Sequence, residues 1–216
     1  DGNSMYHVGG VIGYLQAIQS TLNLTGLSSS ADVTTNDQSY NVGGLIGNME
    51  IYDDTEVTLF NLSSTGDVTA RGYVGGLIGQ FYGSSENGGT SPNAQLINGF
   101  ASGEVSGRYN AGGLVGQISA YDGSRLGIRG SHATGHIDGY GDDGEIGGLI
   151  GSTNGDDAGV SIRQSYATGT VDAPYSYNVG GVVGQADDYT LIINSYATGN
   201  VTGYWFVGGL VGDGSM

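Results

Sequence analysis

Val42-Gly43-Gly44-Leu45-Ile46-Gly47 is one copy of a six-residue block, apolar-Gly-Gly-apolar-apolar-Gly, that recurs seven times in the 216-residue chain. The copies begin at Val8, Val42, Val74, Ala111, Ile146, Val179 and Val207, so successive starts lie 34, 32, 37, 35, 33 and 28 residues apart. Self-similarity at such a period marks a stacked-repeat architecture, in which each unit buries its apolar face against its neighbours.

Between the blocks a second run recurs. LFNLSSTGDV ends at Val68, LINGFASGEV at Val105, IRGSHATGHI at Ile137, IRQSYATGTV at Val171 and IINSYATGNV at Val201, with a looser LTGLSSSADV ending at Val33. The shortest repeat, Val179 to Phe206, reads as two or three short extended runs with no helix-length 3.6 pattern. The expected fold is all-β: a right-handed parallel β-solenoid of six repeats of about 28–37 residues plus a terminal partial repeat, one domain over 1–216. Six intervals of ~4.8 Å give a column of ~29 Å. The pairs Gly43-Gly44, Gly75-Gly76, Gly112-Gly113, Gly147-Gly148, Gly180-Gly181 and Gly208-Gly209 are structural, serving a sharp bend or close backbone approach. The column of Ala197 is Ala or Ser in all six copies, which implies a close facing neighbour.

Length varies at two places, after the third glycine (QFYGSSENGGTSP, Gln80–Pro92, is the longest) and before the next block (DGYGDDGE, Asp138–Glu145). Such corners are where solenoids build binding surfaces.

The net charge is −16, with no lysine; the fixed cations are Arg71, Arg108, Arg125, Arg129 and Arg163. Without a basic stripe, nucleic-acid binding and adsorption to an anionic membrane are disfavoured. The acidity suits solubility in a salty medium, where repulsion is screened. There is no cysteine, and no apolar run long enough to insert in a membrane. The cut repeats at both ends suggest an excised segment of a longer array.

The GLIG and GLVG cores with SYATG between them resemble the GLUG repeat, named for Gly-Leu-any-Gly. The resemblance covers essentially the whole chain. It implies the repeat stalk of a secreted or surface-anchored, adhesin-like bacterial protein, located outside the cell. The zinc-peptidase chemistry found in some proteins carrying such repeats is not implied, because no His-Glu-x-x-His is present. Gly148-Leu149-Ile150-Gly151 and its equivalents are structural in that family.

Three functional classes follow. The first is a non-catalytic stalk or ligand-presenting segment with a cell-surface or extracellular glycan or protein as partner. The second is a carbohydrate-binding module of a secreted enzyme. The third is a subunit of an extracellular filament, joined end to end. No motif assembles an acid, a base and a substrate groove, so an enzyme is not expected.

Candidate sites lie outside the framework. The doublets Asp53-Asp54, Asp156-Asp157 and Asp187-Asp188 all follow the third glycine, and Asp142-Asp143 with Glu145 occupies the other corner. They suit either tight turns or calcium, which takes several oxygen ligands. Two residues before the block stand Tyr40, Tyr109, Tyr177 and Trp205, with Tyr6 at the first copy; Tyr82 belongs to a second set with Tyr14, Tyr52, Tyr121 and Tyr189. They form either structural ladders or a sugar-stacking strip. His132 occupies the column of Phe100, Tyr166 and Tyr196 and reads as an aromatic substitution rather than a metal ligand with His136.

Overall fold

The computed structural model describes residues 6–35, 39–85 and 89–214. Residues 86–88 of the long insertion lie outside the described residues, as does the side chain of Tyr6. Each complete coil carries five short strands, where the sequence reads as two or three. In the coil that opens at Tyr73 they are Tyr73–Gly75, Ile78–Ser84, Asn93–Ile97, Phe100–Ala101 and Val105–Gly107. Coil upon coil they stack into five sheets, two of seven strands and three of six, each running in chain order. All pairings are parallel and the glycine blocks align residue on residue: Val42 pairs with Val74 and Gly43 with Gly75, then Val74 with Ala111 and Gly75 with Gly112. Among the described residues there is no helix. The chain is an all-β parallel solenoid of about six turns.

The extra strands arise because local chemistry bends each extended run at fixed points. At the glycine block, a β-carbon on Gly43 would stand 2.0 Å from the Ile46 carbonyl oxygen, one on Gly44 2.3 Å from that of Gly76, and one on Gly47 2.5 Å from that of Gly13. No side chain fits at any of the three. The second bend explains the recurring asparagine. Asn61, Asn98, Gln164 and Asn194 have φ between 51° and 55°, and Gly26 and Gly130 take the same place at 69° and 60°. Asparagine and glycine tolerate this left-handed conformation best. The third bend is the glycine of ATG: β-carbons on Gly135 and Gly169 would lie 1.9 and 1.7 Å from the carbonyl oxygens of Gly103 and Gly135.

Two apolar columns run along the axis. The larger contains Leu45, Leu77, Leu114, Leu149 and Val182, the leucine position of the repeat, all fully buried. The smaller packs the valine that closes one run (Val68, Val105, Ile137, Val171) against the one that opens the next block (Val74, Ala111, Ile146, Val179). Each such buried side chain contributes about 1.5–3 kcal/mol before chain entropy is charged.

A serine ladder ties the later coils together. The Ser131, Ser165 and Ser195 hydroxyls accept from the backbone N–H groups of Gly99, Ser131 and Ser165, at 2.9, 3.2 and 3.2 Å. Each hydroxyl donates in turn to a carbonyl two residues back in its own coil, those of Arg129, Arg163 and Ile193.

Candidate functional site

The glycine-flanking strands set the corners, and the corners carry the polar chemistry. In the first five coils the strand that opens on the block's fifth residue runs further than the sequence suggests: Ile12–Ile18, Ile46–Tyr52, Ile78–Ser84, Val115–Tyr121 and Ile150–Asp156 each have seven residues. Tyr82, expected in the long insertion, therefore lies inside a strand. Tyr14, Tyr82 and Tyr52 pair with Asn48, Glu50 and Ser84, so the second tyrosine set is no single column. Tyr82 instead reaches diagonally between Tyr52 and Tyr121, with ring centroids 5.8 Å from each.

The aspartates at this corner are turn residues. Asp53, Asp54, Asp122 and Asp157 have φ of 23°, 49°, 53° and 50°, and aspartate is among the few residues that enter this region readily. Asp53 is buried, and its carboxylate accepts from Ser85 Oγ at 3.2 Å. The Asp54 carboxylate accepts from the Thr90 N–H at 2.9 Å and from the Thr90 hydroxyl, and these bonds hold its pKa below the usual value. This doublet fastens the long insertion. Asp187 closes a four-residue turn, its carboxylate accepting from Tyr189 N–H at 3.1 Å and its carbonyl from Thr190 N–H at 3.0 Å. Asp188 is exposed beside it, and Tyr189 hydroxyl donates to Asp157 at 3.4 Å. Asp156, Asp157 and Asp122 line one open cleft with Tyr82 and Tyr121. Among the described residues no three His, Asp or Glu side chains converge as a metal site.

At the other corner Glu145 parts company with Asp142 and Asp143. It turns inward, accepting from Asn110 Nδ2 at 2.8 Å, and burial raises its pKa. Asn110 also donates to Ser152 Oγ at 2.5 Å, and further along Asn41 donates to Gln80 and Gln80 to Gln117, at 2.7 and 3.2 Å. These amides form a polar seam between the strands on either side of the glycine block.

The first tyrosine set is broken by glycine and claimed by arginine. Tyr73 pairs with Asn41 and Asn110, one position away from Tyr40 and Tyr109, which leaves Gly72 in the Tyr40 column. Tyr109 lies between two guanidinium groups, Arg71 at 5.6 Å and Arg108 at 5.7 Å from its ring centroid, and Arg71 Nη2 donates to its hydroxyl at 3.1 Å. Tyr40 is exposed and meets Tyr73 edge-on at 6.0 Å. Among the described residues of this set, the structure brings together only Tyr177 and Trp205, near-parallel at 6.2 Å. It adds two residues the spacing did not single out, Tyr204 and Tyr175. Tyr204 meets Tyr177 edge-on at 6.0 Å, and Tyr175 lines a cleft of about 190 Å³ with Asp142, Tyr177 and Tyr204. Pro174-Tyr175 was the available signal, since proline favours the second position of a turn: the Ser176 N–H donates to the Ala173 carbonyl at 3.0 Å.

His132 sits where the sequence placed it, paired with Phe100 and Tyr166. The rings of Phe100, His132, Tyr166 and Tyr196 stack with centroids 4.7, 4.8 and 5.2 Å apart, and burial lowers the His132 pKa.

The GLUG motif family matches residues 175–202. Over 180 residues, 80% of the chain, the sequence is 35% identical to Halomucin of Haloquadratum walsbyi (strain DSM 16790 / HBSQ001). The chain spans about 2% of that relative's length. No solved structure matches significantly. The chain thus carries a GLUG motif in one coil, and the glycine framework of that coil continues in register through the others.

Proposed function

We propose that the chain is a non-catalytic, ligand-presenting stretch of an extracellular surface protein. The observation that carries this reading is the division of labour within each coil. The framework columns of glycine, leucine and alanine or serine repeat almost unchanged, whereas the corners differ from coil to coil in length, acidity and aromatic content. The GLUG resemblance and the similarity to Halomucin support the extracellular assignment. Glycine and aliphatic side chains pack but transfer no protons, and Asp53, Asp54 and Asp187 are engaged in fastening turns. Antibody raised against the chain should label intact, unpermeabilised cells of the source organism. Labelling that requires permeabilisation would overturn the extracellular reading, and cleavage of a polysaccharide panel by the purified chain would overturn the non-catalytic one.

A further inference from the structure

We propose that the corner built by Asp142, Tyr175, Tyr177 and Tyr204 is an aromatic cage for a quaternary ammonium cation of the choline type. The inference rests on the ligand-presenting reading above and names the ligand for one corner.

Three coils meet here, and Ser176 fixes them. It is fully buried; its hydroxyl donates to the Gly141 carbonyl at 3.0 Å, its N–H to the Ala173 carbonyl, and its own carbonyl accepts from the Tyr204 N–H at 3.0 Å. The turn bearing Asp142, the turn bearing Tyr175 and the segment bearing Tyr204 are therefore held in one arrangement before any ligand arrives, which reduces the ordering cost of binding. The Phe206 N–H adds a 2.7 Å bond to the Tyr177 carbonyl.

The ring geometry selects the ligand. Tyr177 and Tyr204 stand at 74° to one another with ring centroids 6.0 Å apart, and Tyr175 and Asp142 line the same cleft. A pyranose needs one flat ring face beneath it, whereas a near-spherical trimethylammonium group touches several faces at once. Aromatic faces attract cations through their quadrupole, and a neighbouring carboxylate adds to the attraction. No arginine lines the cleft; the nearby Arg108 guanidinium is held over Tyr109. The chain's charge of −16 favours a cationic ligand over an anionic one. The Tyr175 ring is available, 63% exposed.

Trp205, the single tryptophan, lies 6.1 Å from Tyr204 and 6.2 Å from Tyr177, so its fluorescence reports on the cage. Choline chloride titrated into the chain should change that emission saturably, and the choline methyl resonance should broaden. Sodium chloride at equal ionic strength and the neutral isostere 3,3-dimethylbutan-1-ol should do neither. Tyr175→Ala and Tyr177→Ala should abolish the response with an unchanged circular dichroism spectrum, and Asp142→Asn should weaken binding several-fold. An equal response to the neutral isostere, a response to glucose oligosaccharides but not to choline, or choline silent in both measurements would overturn the cage. None of these outcomes touches the cell-labelling or cleavage tests of the broader reading.

Discussion

Ala167 lies against Gly148: a β-carbon built on that glycine would stand 2.8 Å from the Ala167 Cβ and 2.1 Å from the Gly181 carbonyl oxygen. The same pairing joins Gly113 to Ala133 and Gly181 to Ala197, and in the early coils Gly44 meets the Ser64 hydroxyl and Gly10 that of Ser29. The small-residue column and the second glycine of the first six blocks are thus two sides of one contact. Neither can grow unless the sheets part.

Ala167→Leu is therefore expected to destabilise by at least about 1–3 kcal/mol, the usual range for overpacking. Ala197→Leu, in the half-buried last coil, should cost less. Urea melts of the two variants and the parent check the order. A leucine at 167 as stable as the parent would refute the contact.

Removing the Ser131 hydroxyl leaves the Gly99 N–H without its acceptor and the Arg129 carbonyl without its side-chain donor. A buried donor stranded in this way costs about 1–3 kcal/mol. Ser131→Ala should lower Tm accordingly, whereas Ser131→Thr, which keeps the hydroxyl, should lose less if its extra methyl is accommodated. Hydrogen exchange at Gly99 gives the local readout, and an unchanged rate in Ser131→Ala would count against the ladder.

Burial holds the His132 pKa below its ordinary value, so the neutral ring is favoured by folding. Its contribution is complete above the ordinary histidine pKa of ~6.5 and is lost as pH falls through that value toward the folded one. His132→Tyr, matching Tyr166 and Tyr196 in the same stack, should leave Tm near pH 8 within the shift produced by about 1 kcal/mol. It should also flatten the decline between about pH 7 and 5. Parallel melts across that range decide it: curves of equal slope would show that His132 does not carry the acid sensitivity.

Carboxylates repel along the stack. Asp138 pairs in register with Asp172, one strand spacing of ~4.8 Å apart. Raising sodium chloride from ~0.05 M to ~1 M shortens the screening length to ~3 Å and should raise Tm. Calcium compared at equal ionic strength separates screening from chelation. A rise beyond that given by sodium would mark a chelating corner, and an equal rise would assign the effect to screening alone.

Much of the fold was legible in the chain because its determinants are local and repeated. Seven glycine blocks in a fixed order dictate coils, and the alternation of aliphatic and small residues dictates which faces are buried. His132 could be read as an aromatic replacement because a column of equivalents stood on either side of it. The number of strands per coil was not legible, since the bends depend on left-handed backbone at Asn61, Asn98 and Asn194, and asparagine is common in straight runs too. The corners were the least legible. Spacing grouped Asp53-Asp54 with Asp156-Asp157, yet one doublet fastens an insertion through Thr90 while the other lines an open cleft. Spacing likewise grouped Tyr109 with Tyr177, although two arginines occupy the first and a cage takes shape around the second. Repetition fixes what lies directly above and below a residue, because parallel register is set by backbone pairing. What lies beside it at a corner depends on loop length and on which turn folds over which, and those distances exist only once the coils are stacked.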